Sequence, residues 1–277
     1  MKKFDLVLHG PIYSFTQQVV EHYAKFPFIE NIIISSWEND KEWSFTKFHD
    51  KAICIFSKDV WPGIVNVNRQ ITSSFEGVKR CKSDYIISTR TDCIWWDHTM
   101  YMMYDFFNKF EEPELNYLDG EKPKSRLFCS THYMVWKYGI FDVLLWGHRD
   151  DMHKFYDIPH YKEEYTGGPW GDYTKYMRAE CYIGLNYYAK FDSTAKMILE
   201  NIPMYAVDEA PYGDIATKNY YDLSSKVIMP FPLKGQEFSN LKWKTETYHW
   251  DKIVNEYKGM FFENDPHHKD LNYESNF

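Results

Sequence analysis

Ser83-Asp84-Tyr85-Ile86-Ile87-Ser88-Thr89-Arg90-Thr91-Asp92-Cys93-Ile94-Trp95-Trp96 is the stretch that decides how the rest of this 277-residue chain is read. A turn-like Lys82-Ser83-Asp84 leads into a short β-prone apolar run at Tyr85 to Ile87, then into a polar burst with one carboxylate, Asp92. A run of this kind reads as a buried strand. A strand that breaks into Thr-Arg-Thr-Asp collects polar groups at its carboxyl end, which is where open α/β sheets bind ligands. Asp92 is therefore the candidate carboxylate for holding a divalent metal on a diphosphate.

The segments upstream fit the same sheet. Phe4 to Leu8 is a short apolar run ending in His9-Gly10-Pro11-Ile12, and reads as a first strand followed by a loop that Gly-Pro shapes. Phe15 to Phe26 carries Val19, Val20, Tyr23 and Ala24 at helical spacing, with Ser14 or Thr16 as cap and Pro27 as its stop. Asn31 to Glu38 is an almost entirely apolar strand that turns polar at its end. Ala52 to Phe56 is a third strand. Continuous apolar runs fit strands covered on both faces, as in parallel sheets. A loop with Pro62-Gly63 leads through Asn66 to Gln70 into a helix over Ile71 to Cys81. The order strand, helix, strand, strand, helix, strand is a half-Rossmann nucleotide-binding layout with crossover connections. No GxGxxG follows the first strand and no GxxxxGK[ST] occurs, which disfavours a dinucleotide fold and a P-loop NTPase.

After Asp92 the pattern changes. Met100 to Phe110 predicts an amphipathic helix and Glu111 to Lys124 a loop. Leu127 to Trp136 predicts one or two strands, Phe141 to Gly147 another strand, and Asp150 to Tyr156 a short helix. Gly167-Gly168-Pro169-Trp170-Gly171 reads as a flexible aromatic loop of the sort that closes over substrates. Ala179 to Lys190 predicts a helix, Tyr205 to Val207 and Val227 to Met229 late strands, and Trp250 to Tyr257 a final helix. The tail from Glu263 is polar.

Bulk composition removes several classes. The net charge of −8 argues against a nucleic-acid binder, which needs a basic footprint. Cys54, Cys81, Cys93, Cys129 and Cys181 form no CxxC and read as reduced thiols of a cytosolic protein. The amino-terminal apolar run, which Asp5 interrupts, is too short for a signal peptide or a span, so membrane association would be at most peripheral. The 23 Tyr, 20 Phe and 10 Trp exceed the needs of the core and offer rings for sugars or bases to stack on; compositional drift is the alternative.

His9 to Ile12, Ile33-Ile34-Ser35-Ser36-Trp37, Asn68 to Ser74, Thr89 to Asp92, Asp142 to Gly147 and Ala179-Glu180-Cys181-Tyr182 appear in the order seen in one family. Over roughly residues 5–190 the chain resembles the WavE-type lipopolysaccharide-synthesis proteins, which are glycosyltransferase-like proteins of GT-A type. Asn-Arg-Gln together with Arg-Thr-Asp is the most specific part of the match. The resemblance implies an α/β, GT-A-like fold: a half-Rossmann, mostly parallel central sheet flanked by helices. It implies a nucleotide-sugar donor, a saccharide or glycolipid acceptor, and Mn²⁺ or Mg²⁺ held by a DxD-type motif. The first position of that motif is Arg90 here, so Asp92 alone carries over. The expected organisation is a catalytic domain over residues 1–200 with a C-terminal extension, 201–277, packed on it.

The candidate site follows. His9, Gly10, Pro11 and Ile12 would contact the nucleoside, with Gly10 letting the ligand approach the backbone; a plain turn is the alternative. Ser36 and Trp37 end the second strand at the same edge. Asn68 and Arg69, with Gln70, sit at a helix start suited to phosphate or base contacts, or serve as a cap and a surface arginine. Arg90 would hold Asp92, pair with another carboxylate, or neutralise phosphate itself. Glu180 is the candidate general base, with Asp142, Asp150 and Asp151 as rivals. His249 is a second candidate metal ligand or phosphate contact, and His267-His268 reads as a solvated tail. The expected activity is a direct-displacement glycosyl transfer. The alternatives are a non-catalytic carbohydrate-binding protein and a metal-dependent phosphohydrolase or nucleotidyltransferase, which would gather several carboxylates around two metals.

Overall fold

The computed structural model describes residues 2–109, 119–129, 138–140, 143–162, 179–201, 215–216, 218–220, 223, 228–230, 237–240 and 246–249. In chain order, β1 (Phe4–His9), α1 (Thr16–Ala24), β2 (Ile29–Trp37), β3 (Ala52–Ser57), α2 (Val67–Arg80) and β4 (Tyr85–Arg90) form the first half. Then come β5 (Cys93–Trp95), α3 (Asp97–Lys109), β6 (Leu127–Cys129), β7 (Leu144–His148) and α4 (Arg149–Tyr156). The last described elements are α5 (Ala179–Tyr188), α6 (Ser193–Asn201), β8 (Ile228–Pro230), β9 (Glu237–Asn240) and β10 (Glu246–His249).

The main sheet has seven strands in the order β3-β2-β1-β4-β7-β6-β8. Strands β3, β2, β1 and β4 are parallel, and β7 alone runs against its neighbours. This is the mostly parallel, helix-flanked α/β sheet of a GT-A-like protein. Side chains alternate across the pleat. Val7, Ile33, Ile86 and Leu145 face a core shared with α2, α4, α5 and α6. Leu6, Leu8, Ile32, Ile34, Ile87 and Leu144 face a second core with Val19, Val20 and Tyr23 of α1 and Met100, Met103 and Phe107 of α3. Each such aliphatic side chain contributes roughly 1.5–3 kcal/mol on burial.

Gly77 brings α2 close to the sheet. A Cβ there would lie 2.5 Å from Val7 Cγ1 and 3.2 Å from Ser35 Cβ, so only glycine lets α2 sit this near β1 and β2. A second sheet, β10-β9-β5, is built on the strand that follows Asp92. Its β9 pairs antiparallel with β5, Cys93 opposite Asn240 and Trp95 opposite Phe238.

Several elements differ from the sequence expectation, each for a physical reason. α2 begins at Val67, so Asn68, Arg69 and Gln70 form its first turn; their polarity hid a helical start that only the preceding backbone marks. Neither Ser14 nor Thr16 caps α1. Its first turn has no side-chain cap, and the Thr16 hydroxyl instead accepts from the Tyr13 amide at 2.9 Å. β3 is an edge strand and Ile53 is 52% exposed, whereas its apolar run predicted cover on both faces. α6, β9 and β10 were not anticipated: short polar strands such as Glu-Phe-Ser-Asn carry little periodicity. The expected loop at Gly167 to Gly171, strand at Tyr205 to Val207, helix at Trp250 to Tyr257 and the tail lie outside the described residues.

Asp5 is fully buried at the foot of β1. Its carboxylate accepts from the amides of Lys82 and Ser83 at 2.6 and 2.9 Å, the Ser83 hydroxyl at 2.9 Å and the Asn31 amide group at 2.8 Å. It thereby ties β1 to β2 and to the turn that starts β4. Asp5→Ala leaves these donors unmade, and unpaired buried groups cost ~1–3 kcal/mol each. The expected loss in urea denaturation is about 2–4 kcal/mol; a loss below ~0.5 kcal/mol would show that this anchor is dispensable.

Candidate functional site

Parallel strands deliver their last residues to one edge. His9 lies opposite Ser35 of β2 on one side and Arg90 of β4 on the other. The chain then turns at Gly10, whose φ of +116° favours glycine. Its amide donates to the Ser35 carbonyl at 3.1 Å. Thr91 fastens the loop to β4, its amide donating to the His9 carbonyl at 3.1 Å and its hydroxyl to the Pro11 carbonyl at 2.6 Å. Asp40, in the 3₁₀ turn after β2, accepts from the Ile12 amide at 3.1 Å and from the Ser36 hydroxyl. Ser36 and Trp37 are buried. Thus His9, Gly10, Pro11, Ile12, Ser36 and Trp37 converge with Arg90 and Asp92. Asp40, which joins two of these segments, was missed because nothing in Glu38-Asn39-Asp40 separates it from a solvated turn.

Arg90 and Asp92 form a two-pronged ion pair: Nε lies 2.8 Å from Oδ1 and Nη2 2.7 Å from Oδ2. The side chain of Asp92 is 2% exposed and that of Arg90 is 36% exposed. The carboxylate is therefore enclosed, while the Arg90 side chain is partly exposed. The strand beyond is held from α1, where the Tyr23 hydroxyl donates to the Cys93 carbonyl and accepts from the Trp95 amide, both at 3.1 Å. His9 is buried beside the pair, and its Nε2 has no hydrogen-bond partner among the described residues. Burial first, and the Arg90 charge second, bring its pKa down to about 3 against the opposing pull of Asp92. At neutral pH it is an uncharged imidazole.

The expected Mn²⁺ or Mg²⁺ can be tested against this donor set. Hard divalent ions take several oxygen ligands. Among the described residues no group of three or more His, Cys, Asp or Glu side chains gathers to hold a metal. Both oxygens of Asp92 already accept from Arg90, and a divalent ion within ~4 Å of a guanidinium is opposed by about 8 kcal/mol at an effective dielectric constant of ~20. The described residues thus do not by themselves supply, at Asp92, the several oxygen ligands that a divalent cation takes. His249 lies at the end of β10, whose backbone is two strands from β5 across the second sheet.

The other candidates divide between the two edges. Asn68 is buried, and its amide group is committed to the backbone of Tyr161, donating to the carbonyl at 2.9 Å and accepting from the amide at 2.6 Å. Arg69 pairs through Nε and Nη2 with Asp59, just past β3, at 2.9 and 2.7 Å, and this holds the Asp59 carboxyl below its usual range. Glu180 is in the first turn of α5. Two residues on, the Tyr182 ring meets that of Tyr161 at 5.3 Å, so the first turns of α5 and α2 share the carboxyl edge through the Asn68 clamp. Asp150 and Asp151 sit at the opposite edge, because β7 is antiparallel and His148 lies opposite Tyr85 at the start of β4. Asp151 serves there structurally, accepting from the amides of Lys124 and Ser125 at 3.0 and 2.8 Å. Asp142 lies outside the described residues. No described helix is long and apolar enough to cross a membrane.

An α/β sheet whose strand ends gather an Arg-Asp pair with an enclosed carboxylate, a buried histidine and a glycine-shaped loop at one edge defines a GT-A-like protein. The family model for WavE lipopolysaccharide synthesis matches residues 6–183, and the chain belongs to that family. Comparison with curated proteins finds no match. Among solved structures, mouse xyloside xylosyltransferase 1 is similar at 9% identity, covering 83% of this chain and 85% of that one with a TM-score of 0.42. TarS 1–349 of S. aureus is similar at 10% identity, covering 81% and 71%, with a TM-score of 0.41. The 4-diphosphocytidyl-2C-methyl-D-erythritol synthase of Anaerococcus prevotii is similar at 9% identity, covering 56% and 74%, with a TM-score of 0.37. These likenesses are distant, and the architecture rests on the strand order itself.

His9 gives the site a pH signature. The unfolded chain binds a proton near the ordinary value of 6.5, while the folded protein resists it down to about 3. Between those values the unfolded state holds more protons, so stability falls as pH falls, by at most ~1.4 kcal/mol per pH unit. His9→Gln should flatten this slope between pH 6.5 and 4.5 in urea denaturation. An unchanged slope would assign the acid sensitivity to another group.

Proposed function

We propose that the protein transfers a sugar from a nucleoside-diphosphate donor to a hydroxyl of a saccharide or glycolipid acceptor in surface-polysaccharide synthesis. The observation that carries this reading is the meeting of the β1, β2 and β4 ends around Arg90, Asp92 and His9, in a chain of a lipopolysaccharide-synthesis family. In parallel α/β sheets this edge is the ligand edge. The loop from Gly10 to Ile12 would take the nucleoside, and the β4 end its diphosphate. Residues 1–200 would form the donor-binding and catalytic part, with 201–277 as an extension whose β9 strand adds to β5.

Glu180 is the proposed base. The acceptor oxygen bonds to the anomeric carbon, its proton passes to the Glu180 carboxylate, and the bond from that carbon to the diphosphate oxygen breaks with its electron pair. The nucleoside diphosphate leaves with the added charge. Placement of Glu180 on the first turn of α5, at the same edge as α2, supports this role.

A thermal-shift screen of nucleotide sugars, followed by transfer assays, tests the reading. At least one nucleotide sugar is expected to raise the melting temperature, since a ligand selective for the folded state stabilises it. Glu180→Gln should lower the transfer rate ~10²–10⁴-fold while leaving that shift intact. No shift with any nucleotide sugar, or a Glu180→Gln rate near wild type, would overturn the donor or the base respectively.

A further inference from the structure

We propose that β3 is a docking edge for a second copy of this chain, which adds its own β3 antiparallel to the first across a two-fold axis at Cys54.

β3 ends the main sheet, with β2 as its neighbour among the described residues. Successive residues of a strand turn their N–H and C=O to opposite sides. The Ile32 amide donates to the Lys51 carbonyl at 2.8 Å, so Lys51, Ile53 and Ile55 address β2, while Ala52, Cys54 and Phe56 address the outer rim. The Ala52 N–H is taken by the His49 carbonyl at 3.0 Å. The Ala52 carbonyl and both groups of Cys54 and Phe56 are turned outward. Such a rim is a template for another strand, and proteins that keep it single blunt it with charge, proline or a bulge. Ala-Ile-Cys-Ile-Phe-Ser holds no charge and no proline, and its ladder to β2 runs without a register shift. Ile53 stands 52% exposed within it. Phe45 before the strand and Trp61 and Val65 after it are 96%, 49% and 57% exposed.

Symmetry and charge select the occupant and its register. In a two-fold contact residue i meets j and j meets i, and rim-facing residues must meet rim-facing residues. The axis therefore passes through a residue, and Cys54 and Ile55 are the middle of the strand. With Cys54 on the axis, Ala52 meets Phe56 and Ile53 meets Ile55 of the second copy. Asp50, just before the strand, then meets Lys58, just after it. Both are exposed, and Asp50 touches the equally exposed Lys47, so each end of the contact gains opposite charges. With Ile55 on the axis the charges brought together are Lys51 and Asp59, which are already engaged. Lys51 Nζ donates to the Ala24 and Ile29 carbonyls at 3.0 and 2.9 Å, and Asp59 pairs with Arg69. The Cys54 register also joins like faces. Ala52, Cys54 and Phe56 pack toward the core shared with α1, and Ile55 toward the one shared with α2. Each apolar face thus runs on into its own copy. Because the paired strands run oppositely, the carboxyl edges of the two sheets point in opposite directions.

Sedimentation equilibrium of the full chain over a range of concentrations tests this. Monomer and dimer should exchange, since a contact built on one strand and its flanks belongs to the weak class. Ile53→Lys, at a half-exposed position, should raise the dimer dissociation constant about tenfold or more. Asp50→Lys and Lys58→Glu each set like charges at both ends of the contact, and each should raise it roughly fivefold or more. An equimolar mixture of those two variants should recover wild-type association to within about threefold, because every like-charge end becomes an opposite-charge end in the mixed dimer. Circular dichroism checks that each variant is folded, and the wild-type measurement stands without them. A wild-type chain that stays monomeric at every concentration would overturn the proposal. So would a dimer that Ile53→Lys leaves intact, single charge variants that associate like wild type, or a mixture of them that stays monomeric.

Discussion

The first strand is held at both ends by side chains that reach its neighbours, and the geometry of the whole edge depends on that double anchorage. At the amino end, Asp5 gathers donors from β2 and from the turn before β4. At the carboxyl end, Thr91 bonds back to the carbonyls of His9 and Pro11. Between them the ladder runs without slippage from Asp5 opposite Ile86 to His9 opposite Arg90. A slip of one residue would turn every side chain of β1 to the other face. Val7 would leave the α2 side and His9 would leave its place beside Arg90.

Arg90 is matched by Asp92 and Arg69 by Asp59, each through two hydrogen bonds, while His9 remains uncharged. The pairs differ in burial. Asp59 and Arg69 are similarly accessible, at 34% and 39%, whereas Asp92 is enclosed beside a partly exposed Arg90. Enclosure makes the second pair costly to break, because a lone carboxylate would be left in a water-poor setting. A site built this way keeps its cation in one position before any ligand arrives, so little reorganisation is needed on binding.

Much of this was legible in the chain because parallel strands write continuous apolar runs that end in polar residues. Phe4 to Leu8, Ile32 to Ile34 and Tyr85 to Ile87 each fall in strands of the main sheet, and the polar residues after them lie at one edge. The half-Rossmann order of the first half appears as read. Pairing was less visible. Asn68 looks like a ligand contact in sequence, yet its amide group serves Tyr161, 93 residues away. Asp151 looks like a rival base, but β7 runs against its neighbours and carries it to the far edge. Asp92 reads in sequence as a lone carboxylate, and only the coordinates show that Arg90 bonds to both of its oxygens. Strand direction and side-chain partners are three-dimensional facts, and local spacing does not encode them.

The short strand β5 has a partner that the ribosome makes late. Cys93 waits for Asn240, and at ordinary elongation speeds the delay is on the order of ten seconds. During that interval the segment directly after Asp92 presents an uncovered hydrogen-bonding rim, the kind of surface on which nascent chains associate. Maturation of the Arg90 region is thus coupled to the final stages of translation, and defects far downstream in the coding sequence would be felt beside this arginine.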